Sequence, residues 1–265
     1  MVMYNNFLCY TRSEVVNNNT LLDIKSKYKN LYCDYYDNIY CHYKEGKRVF
    51  SNESIGFCLE KLLKSDSLVL YDAGESLSLF SQLELLIEKS LNKKIYLLKD
   101  IVEGNRTLCE CKDVDVYLDN ILNCKNLNSS MFLAYTRNNH DYIFLLEKFR
   151  KRVSQELYID CLDNLNVRDN KMNYSAYNKK CDYSTSIFDE VFNNLIMCKS
   201  FCFIASENIY ANNFVRLQYM VARILKKNIY YISEKDFFDI INGNILFDCV
   251  CKKADLLFYD IKFSV

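Results

Sequence analysis

Short unbroken apolar runs alternate along the chain with longer segments in which apolar positions recur every three or four residues. In the second half, Met131–Tyr135 suits a buried strand, and Asp141–Ser154 carries Ile143, Leu146, Phe149 and Val153 at helical spacing. A strand over Leu157–Cys161, a polar tyrosine-containing loop over Asp163–Tyr183 and a helix over Ser184–Cys198 follow. A strand at Phe201–Ala205, a helix at Asn212–Leu225 and a strand at Asn228–Ile232 complete that half. The first half predicts the same order: strand Phe7–Tyr10, helix Thr20–Tyr28, strand Leu31–Tyr35, helix Ser54–Leu63, strand Ser67–Tyr71, helix Leu77–Ser90 and strand Lys94–Leu98. Such alternation predicts parallel sheets with helices on both faces.

The two halves also share residues. Phe7-Leu8-Cys9-Tyr10-Thr11-Arg12 returns as Phe132-Leu133-Ala134-Tyr135-Thr136-Arg137, and the segment Ser67–Leu98 lines up without a gap against Phe201–Ile232. Cys109-Glu110-Cys111-Lys112 is echoed by Cys249-Val250-Cys251-Lys252, each pair followed by an apolar stretch, Val114–Leu118 or Leu256–Tyr259. A period this long is a duplicated domain rather than a solenoid repeat. It divides the chain into domains over 1–125 and 126–265, joined near Asn123–Ser130, and the expected arrangement is an intramolecular pseudo-dimer. The sharpest difference between the copies is Glu84, whose counterpart is Gln218.

Composition narrows the function. Lys plus Arg equals Asp plus Glu at 34 each, so no net charge draws the chain to nucleic acid or an anionic membrane. No run approaches the ~18 apolar residues of a spanning helix, and the N-terminus lacks an export pattern, so the expected location is the cytoplasm. The 13 cysteines fall mostly inside apolar runs such as Phe201-Cys202-Phe203, where a reduced thiol packs as a small hydrophobe. Proline is absent, so turns must rely on Asn, Asp and Ser. With five glycines no phosphate-cradling glycine loop is expected, and two histidines leave a catalytic triad little to build on.

The order strand, Tyr-x-Arg, helix, and then strand, polar loop, aromatic, acidic residue and Lys-x-Ile strand resembles the Toll/interleukin receptor (TIR) domain. It also resembles the related nucleoside deoxyribosyltransferase fold. Phe132 to Tyr142 looks like the TIR opening motif, and Ser206 to Gln218 is similar to the loop and helix that lead to the catalytic glutamate, with Phe214 at the usual tryptophan position. Through the repeat, the first copy has Asp72 at the serine position, Phe80 at the aromatic position and Glu84 at the glutamate. The resemblance implies two tandem flavodoxin-like (TIR-like) α/β domains, and a bacterial or phage-related stress or defence role.

Both families break an N-glycosidic bond with one glutamate at the sheet's C-terminal edge. A carboxylate there stabilises or attacks an oxocarbenium-like centre. Glu84 is then the catalytic candidate, NAD or a related nucleoside is a substrate rather than a cofactor, and the second copy, with Gln218, is degenerate. Tyr10 could pack on a base and Arg12 meet phosphate, Phe80 could wall the pocket, and Asp72 and Ser76 could contact ribose hydroxyls. Completion of the pocket by assembly, within the chain or in a further homo-oligomer, would accompany this chemistry.

Each of these residues has an ordinary reading as well. Glu84 and Glu88, one turn apart in an amphipathic helix, fit a solvated face. Arg12 and Arg137, kept in both copies, fit a structural role, and Phe80 and Phe214 fit the core. Two Cys-x-Cys pairs on strands could offer four sulfurs to zinc, although zinc knuckles use the wider Cys-x-x-Cys, and no metal is expected. His42 and His140 fit turns or surface. Two other functions stay open: a non-catalytic nucleotide-binding or signalling module, and a scaffold whose copies only pack together.

Overall fold

The computed structural model describes residues 5–13, 16–44, 47–102, 105–136, 141–163, 183–206, 209 and 212–254. Arg137, His140, Leu256–Tyr259 and most of the loop predicted over Asp163–Tyr183 lie outside them. In the first half the elements are β1 (Asn6–Cys9), α1 (Asn18–Lys27), β2 (Leu31–Cys33), α2 (Asp34–Asp37), β3 (His42–Lys44), β4 (Lys47–Phe50), α3 (Asn52–Lys64), β5 (Ser67–Asp72), α4 (Leu79–Ser90), β6 (Lys94–Val102) and β7 (Asn105–Glu110). After α5 (Asp119–Cys124) come β8 (Asn128–Ala134), α6 (Asp141–Arg152), β9 (Leu157–Tyr158), α7 (Asp160–Asp163), β10 (Tyr183–Ser184), α8 (Thr185–Met197), β11 (Cys198–Ala205), α9 (Asn213–Ile224), β12 (Asn228–Ser233), α10 (Glu234–Asn242), α11 (Phe247–Val250) and β13 (Lys252–Lys253).

The chain is α/β, with two five-stranded sheets flanked by helices. The first has the order β2-β1-β5-β6-β7 and the second β9-β8-β11-β12-β13, so corresponding strands occupy corresponding places. Neither sheet is wholly parallel, which corrects the expectation: β7 and β13 both run antiparallel to their neighbours. Only two residues separate β7 from β6 in sequence, and a parallel return needs a crossover of a dozen or more residues.

Period-two alternation sets the two faces of each sheet. In the first, Leu8, Val69 and Tyr71 join α1 residues Leu21 and Ile24 in one core cluster, which leaves Phe7, Cys9, Leu68 and Leu70 for the face covered by α3 and α4. In the second, Leu133, Cys202 and Ile204 pack with Leu146 and Phe149 of α6 and Phe237 and Ile240 of α10. Strand pairing also adjusts the repeat. Phe7 pairs with Leu68 where Phe132 pairs with Phe201, so Leu68, not Ser67, matches Phe201. The gapless alignment is restored by α4 and α9, because the intervening loops differ by one residue. Asp72, opposite Lys99, therefore corresponds to Ala205, opposite Ser233, and not to Ser206.

Two compact units arise, Met1–Cys41 with Glu53–Asn123, and His42–Asn52 with Cys124–Val265. The hairpin β3–β4, from the first half of the sequence, thus belongs to the second unit, where β4 pairs with β10 and Phe50 stacks on Phe188 at 4.3 Å between ring centroids. The tails also diverge. Cys109 lies on β7, but Cys249 lies in α11, so the second Cys-x-Cys pair is not on a strand as expected. The cause is local: a Ser233–Asp236 capping box starts α10, Phe237, Ile240 and Ile241 bury its inner face, and Gly243 at φ 78° stops it.

Candidate functional site

The C-terminal rim of the first sheet is built by hydrogen bonds from β1 to the start of α4. Ser78 caps the helix by accepting from the Ser81 amide at 3.2 Å, its own amide donates to Thr11 Oγ1 at 2.6 Å, and Ser81 Oγ donates to the Tyr10 carbonyl at 2.7 Å. One turn further along the same helix face sits Glu84, and one turn beyond that Glu88. Both are buried, Glu84 at 6% exposure and Glu88 at 0%, so the solvated-face reading is overturned. The helix is covered by the sheet and α3 along this stripe, and its charged residues went inward with it.

Glu84 meets two thiols. Cys58 on α3 donates to Glu84 Oε1 at 3.3 Å, and the Cys9 thiol on β1, which donates to the Ser81 carbonyl at 3.3 Å, lies close enough for the two groups to interact electrostatically. Burial first, and then the Glu84 carboxylate, push the Cys9 thiol well above its ordinary range, so Cys9 stays protonated. Glu88 Oε1 pairs with Lys93 at 3.0 Å, while Lys93 also donates to the Leu62 and Leu63 carbonyls at the end of α3. Burial pushes the Glu88 carboxyl up to about 7 against the opposing pull of Lys93.

The second unit keeps the scaffold and loses the chemistry. Gln218 is buried at the Glu84 position, and its Oε1 has no hydrogen-bond partner among the described residues. Strand register puts Ala134 where Cys9 stands, and the burial pattern of α8 puts Val191 where Cys58 stands. Ala222 replaces Glu88, but Lys227 repeats Lys93: it donates to the carbonyls of Ile196, at 2.8 Å, and Cys198. Burial lowers the Lys227 ammonium to about 8. The acid and its two thiols are therefore present together in one copy and absent together in the other.

The remaining predicted residues stay at the rim or in the core, and none joins Glu84 in the contacts described above. The Tyr10 hydroxyl accepts from the Tyr35 amide at 3.1 Å, and the Arg12 guanidinium lies over the Tyr35 ring at 4.3 Å and bonds Asn18. Asp72 accepts from Tyr117 at 2.7 Å and from the Gly74 amide at 2.9 Å, and pairs with Lys99 at 3.3 Å. Burial raises its pKa, but these partners outweigh it and hold the carboxyl below its ordinary value. Ser76 is exposed and Phe80 is buried. Among the described residues no group of three or more His, Cys, Asp or Glu could hold a metal, and no helix is long and apolar enough to cross a membrane.

A second repeated motif escaped the sequence reading although its signal is plain: Leu31-Tyr32-Cys33-Asp34-Tyr35-Tyr36-Asp37-Asn38 returns as Leu157-Tyr158-Ile159-Asp160-Cys161-Leu162-Asp163-Asn164. Its first aspartate is buried in each unit, bonded by Tyr32 at 2.9 Å or by Tyr135 at 2.5 Å. Its second accepts from the Cys33 amide at 2.8 Å or the Ile159 amide at 2.7 Å. A turn built this way in both copies is architecture, with the carboxylates satisfying backbone groups that the strand end leaves open. No protein family, curated protein or solved structure matches the chain.

Proposed function

We propose that the first unit cleaves or transfers at the N-glycosidic bond of NAD or a related cytoplasmic nucleoside or nucleotide, with Glu84 as its carboxylate. One observation carries the reading: a buried acid, bonded by the weak thiol donor Cys58, sits where the sister copy does the same packing with an uncharged glutamine. Burying a carboxyl costs stability that packing alone does not require. A thiol is a feeble donor, so it leaves the Glu84 oxygens with little competing hydrogen bonding, and the developing positive charge of a sugar carbon would favour the carboxylate form beside it. Glu84 lies about 4.5 Å along the helix axis below Ser81. Entry of a ribose would part the Thr11–Ser78 and Tyr10–Ser81 bonds, with Tyr10 and Arg12 receiving base and phosphate at the rim and Asp72 and Ser76 the sugar hydroxyls. Within this reading the two units are flavodoxin-like, TIR-related domains, supported by their shared strand order.

A second reading, a non-catalytic nucleotide-binding or signalling module, draws on the low exposure of Glu84 and on the bonding of the Tyr10 hydroxyl within its own unit. Incubation of the full chain with NAD and with nucleosides, followed by chromatography of released base, separates the two. Turnover that disappears in Glu84→Gln supports the enzyme. Saturable binding without turnover supports the module, and turnover that survives Glu84→Gln removes Glu84 from its assigned role.

A further inference from the structure

The second unit guards a sheet edge that the first leaves open. Both sheets end on an antiparallel strand, β7 in one and β13 in the other. β13 is two residues long and both are lysine, a short charged edge that discourages a further strand. β7 is six residues long, has no proline or lysine, and exposes Thr107, Leu108, Cys109 and Glu110. Alternation fixes which of its backbone groups face outward. The Cys111 amide donates to the Ile95 carbonyl at 2.9 Å, so Cys111, Cys109 and Thr107 turn their N–H and C=O groups towards β6. Arg106, Leu108 and Glu110 turn theirs away from it, where no other strand pairs with them among the described residues. Their side chains share one face of the sheet, and Arg106 is ion-paired there with Asp23 and, at 2.7 Å, with Asp100.

We propose that β7 pairs antiparallel with β7 of a second copy of this chain, with Leu108 opposite Leu108. In that register the outward residues meet only one another. Leu108 exchanges two hydrogen bonds with its counterpart, and Arg106 of each copy exchanges two with Glu110 of the other, about six in all. Charge selects this register over its neighbours, because opposite charges across a strand pair attract and like charges repel. With Leu108 centred, Arg106 faces Glu110 on the same side of the sheet. Sliding one copy so that Leu108 faces Glu110 sets Arg106 against Lys112, and sliding it further sets Glu110 against Glu110. Sliding it the other way puts Leu108 against Arg106 and leaves Glu110 without an outward residue of β7 to meet. Arg106 keeps Asp23, which Lys27 also neutralises at 3.1 Å, so part of its five-donor guanidinium is left for the incoming carboxylate. A two-fold axis through Leu108 makes the contact isologous: each edge is consumed by the other, two five-stranded sheets join, and assembly stops at a dimer.

Sedimentation velocity of the reduced full chain, in a series up to about 100 μM, tests the pairing, and a species of twice the 31.4 kDa chain mass should grow with concentration. Leu108→Pro removes an N–H that β6 does not use, so it should abolish the dimer and leave the circular dichroism spectrum unchanged. Glu110→Arg, which opposes two arginines, should weaken the dimer roughly tenfold, and it decides the matter should Leu108→Pro unfold. Thr107→Cys tests the register. It places a thiol opposite Cys109 of the second copy in a pair without hydrogen bonds, Cα atoms about 4.5 Å apart, within the span of a disulfide. Oxidised glutathione should therefore lock that variant into a dimer through Cys109, mapped by mass spectrometry. In the unsubstituted protein the two Cys109 residues stand diagonally, roughly 7–8 Å apart, and should not link. A chain that stays monomeric throughout the series, a dimer that a folded Leu108→Pro or Glu110→Arg leaves undiminished, or a disulfide between two Cys109 residues would each overturn the proposal. None of these outcomes depends on turnover at Glu84.

Discussion

Glu88 and Lys93 form an ion pair at 3.0 Å in which the carboxylate side chain is wholly buried, and the same lysine closes the end of α3 through two carbonyls. In the second unit Lys227 performs the closure with Ala222 in the place of Glu88. The lysine therefore belongs to the architecture of both copies, and Glu88 is an addition to one.

That difference predicts an asymmetry under substitution. Lys93→Met strips a buried carboxylate of its counter-ion and should cost roughly 3–5 kcal/mol, whereas Glu88→Ala, which copies the second unit, should cost far less. Urea denaturation of the two variants measures the gap, and equal losses would contradict the asymmetry.

The same carboxyl gives stability a pH dependence. Its folded pKa is raised to about 7 from 4.5, so the native state binds more protons than the unfolded chain between those values. The contribution of Glu88 is fully present below about pH 4.5 and is lost as pH rises towards 7, by up to ~3 kcal/mol. Glu88→Gln should flatten this part of the stability profile, and an unchanged slope in the variant would show that other groups produce it.

Lys226 sits at φ 55°, in the left-handed region at the end of α9, where the first copy has Asn92 at φ 54°. A lysine there is strained by its Cβ, so Lys226→Gly should raise stability by about 1 kcal/mol. A thermal melt of the variant checks this, and a lowered midpoint would show that the lysine side chain contributes something the backbone strain does not reveal.

Phe50 tests the exchange of the hairpin. Because it is buried against Phe188, Phe50→Ala should cost roughly 3–5 kcal/mol. Hydrogen exchange should localise the loss to α8 and β11 rather than to β1 and β5, which share its half of the sequence. Deprotection confined to the first unit would contradict the assignment of this hairpin.

In the second motif, Asp37→Ala and Asp163→Ala should each cost about 1–3 kcal/mol, since each removes a backbone acceptor together with an ion pair to Lys25 or Arg150. Matched losses in chemical denaturation are expected, and a loss at one site alone would show that the two turns are not equivalent.

The alternating elements were legible because burial on a sheet face and on a helix stripe imposes periods of two and 3.6 on the residues themselves. Asn30, Asn92 and Asn126, all at positive φ, match the reliance on asparagine expected of a chain without proline. The candidate site was legible only as a position. Glu84 and Glu88 share a spacing with solvent-exposed pairs, and nothing in SQLELLIEKSL tells that α3 would cover them. The Leu-Tyr-x-Asp-x-x-Asp-Asn repeat spans both predicted strands, Leu31–Tyr35 and Leu157–Cys161, but its aspartates' role as acceptors for the strand-end amides is set only by the folded turn.

From its own residues the chain determines that it is built twice, with α/β alternation in each half and an acid at Glu84 opposed by Gln218, because these are matters of identity and period along one dimension. Tertiary structure alone decided that Cys58 of α3 would cover Glu84, that Cys251 would pack on the core cluster under α6 and α10, and that the hairpin over His42–Asn52 would leave its own half. Each joins residues far apart in the chain, and such meetings depend on which surfaces bury against one another, a choice that local propensity does not record.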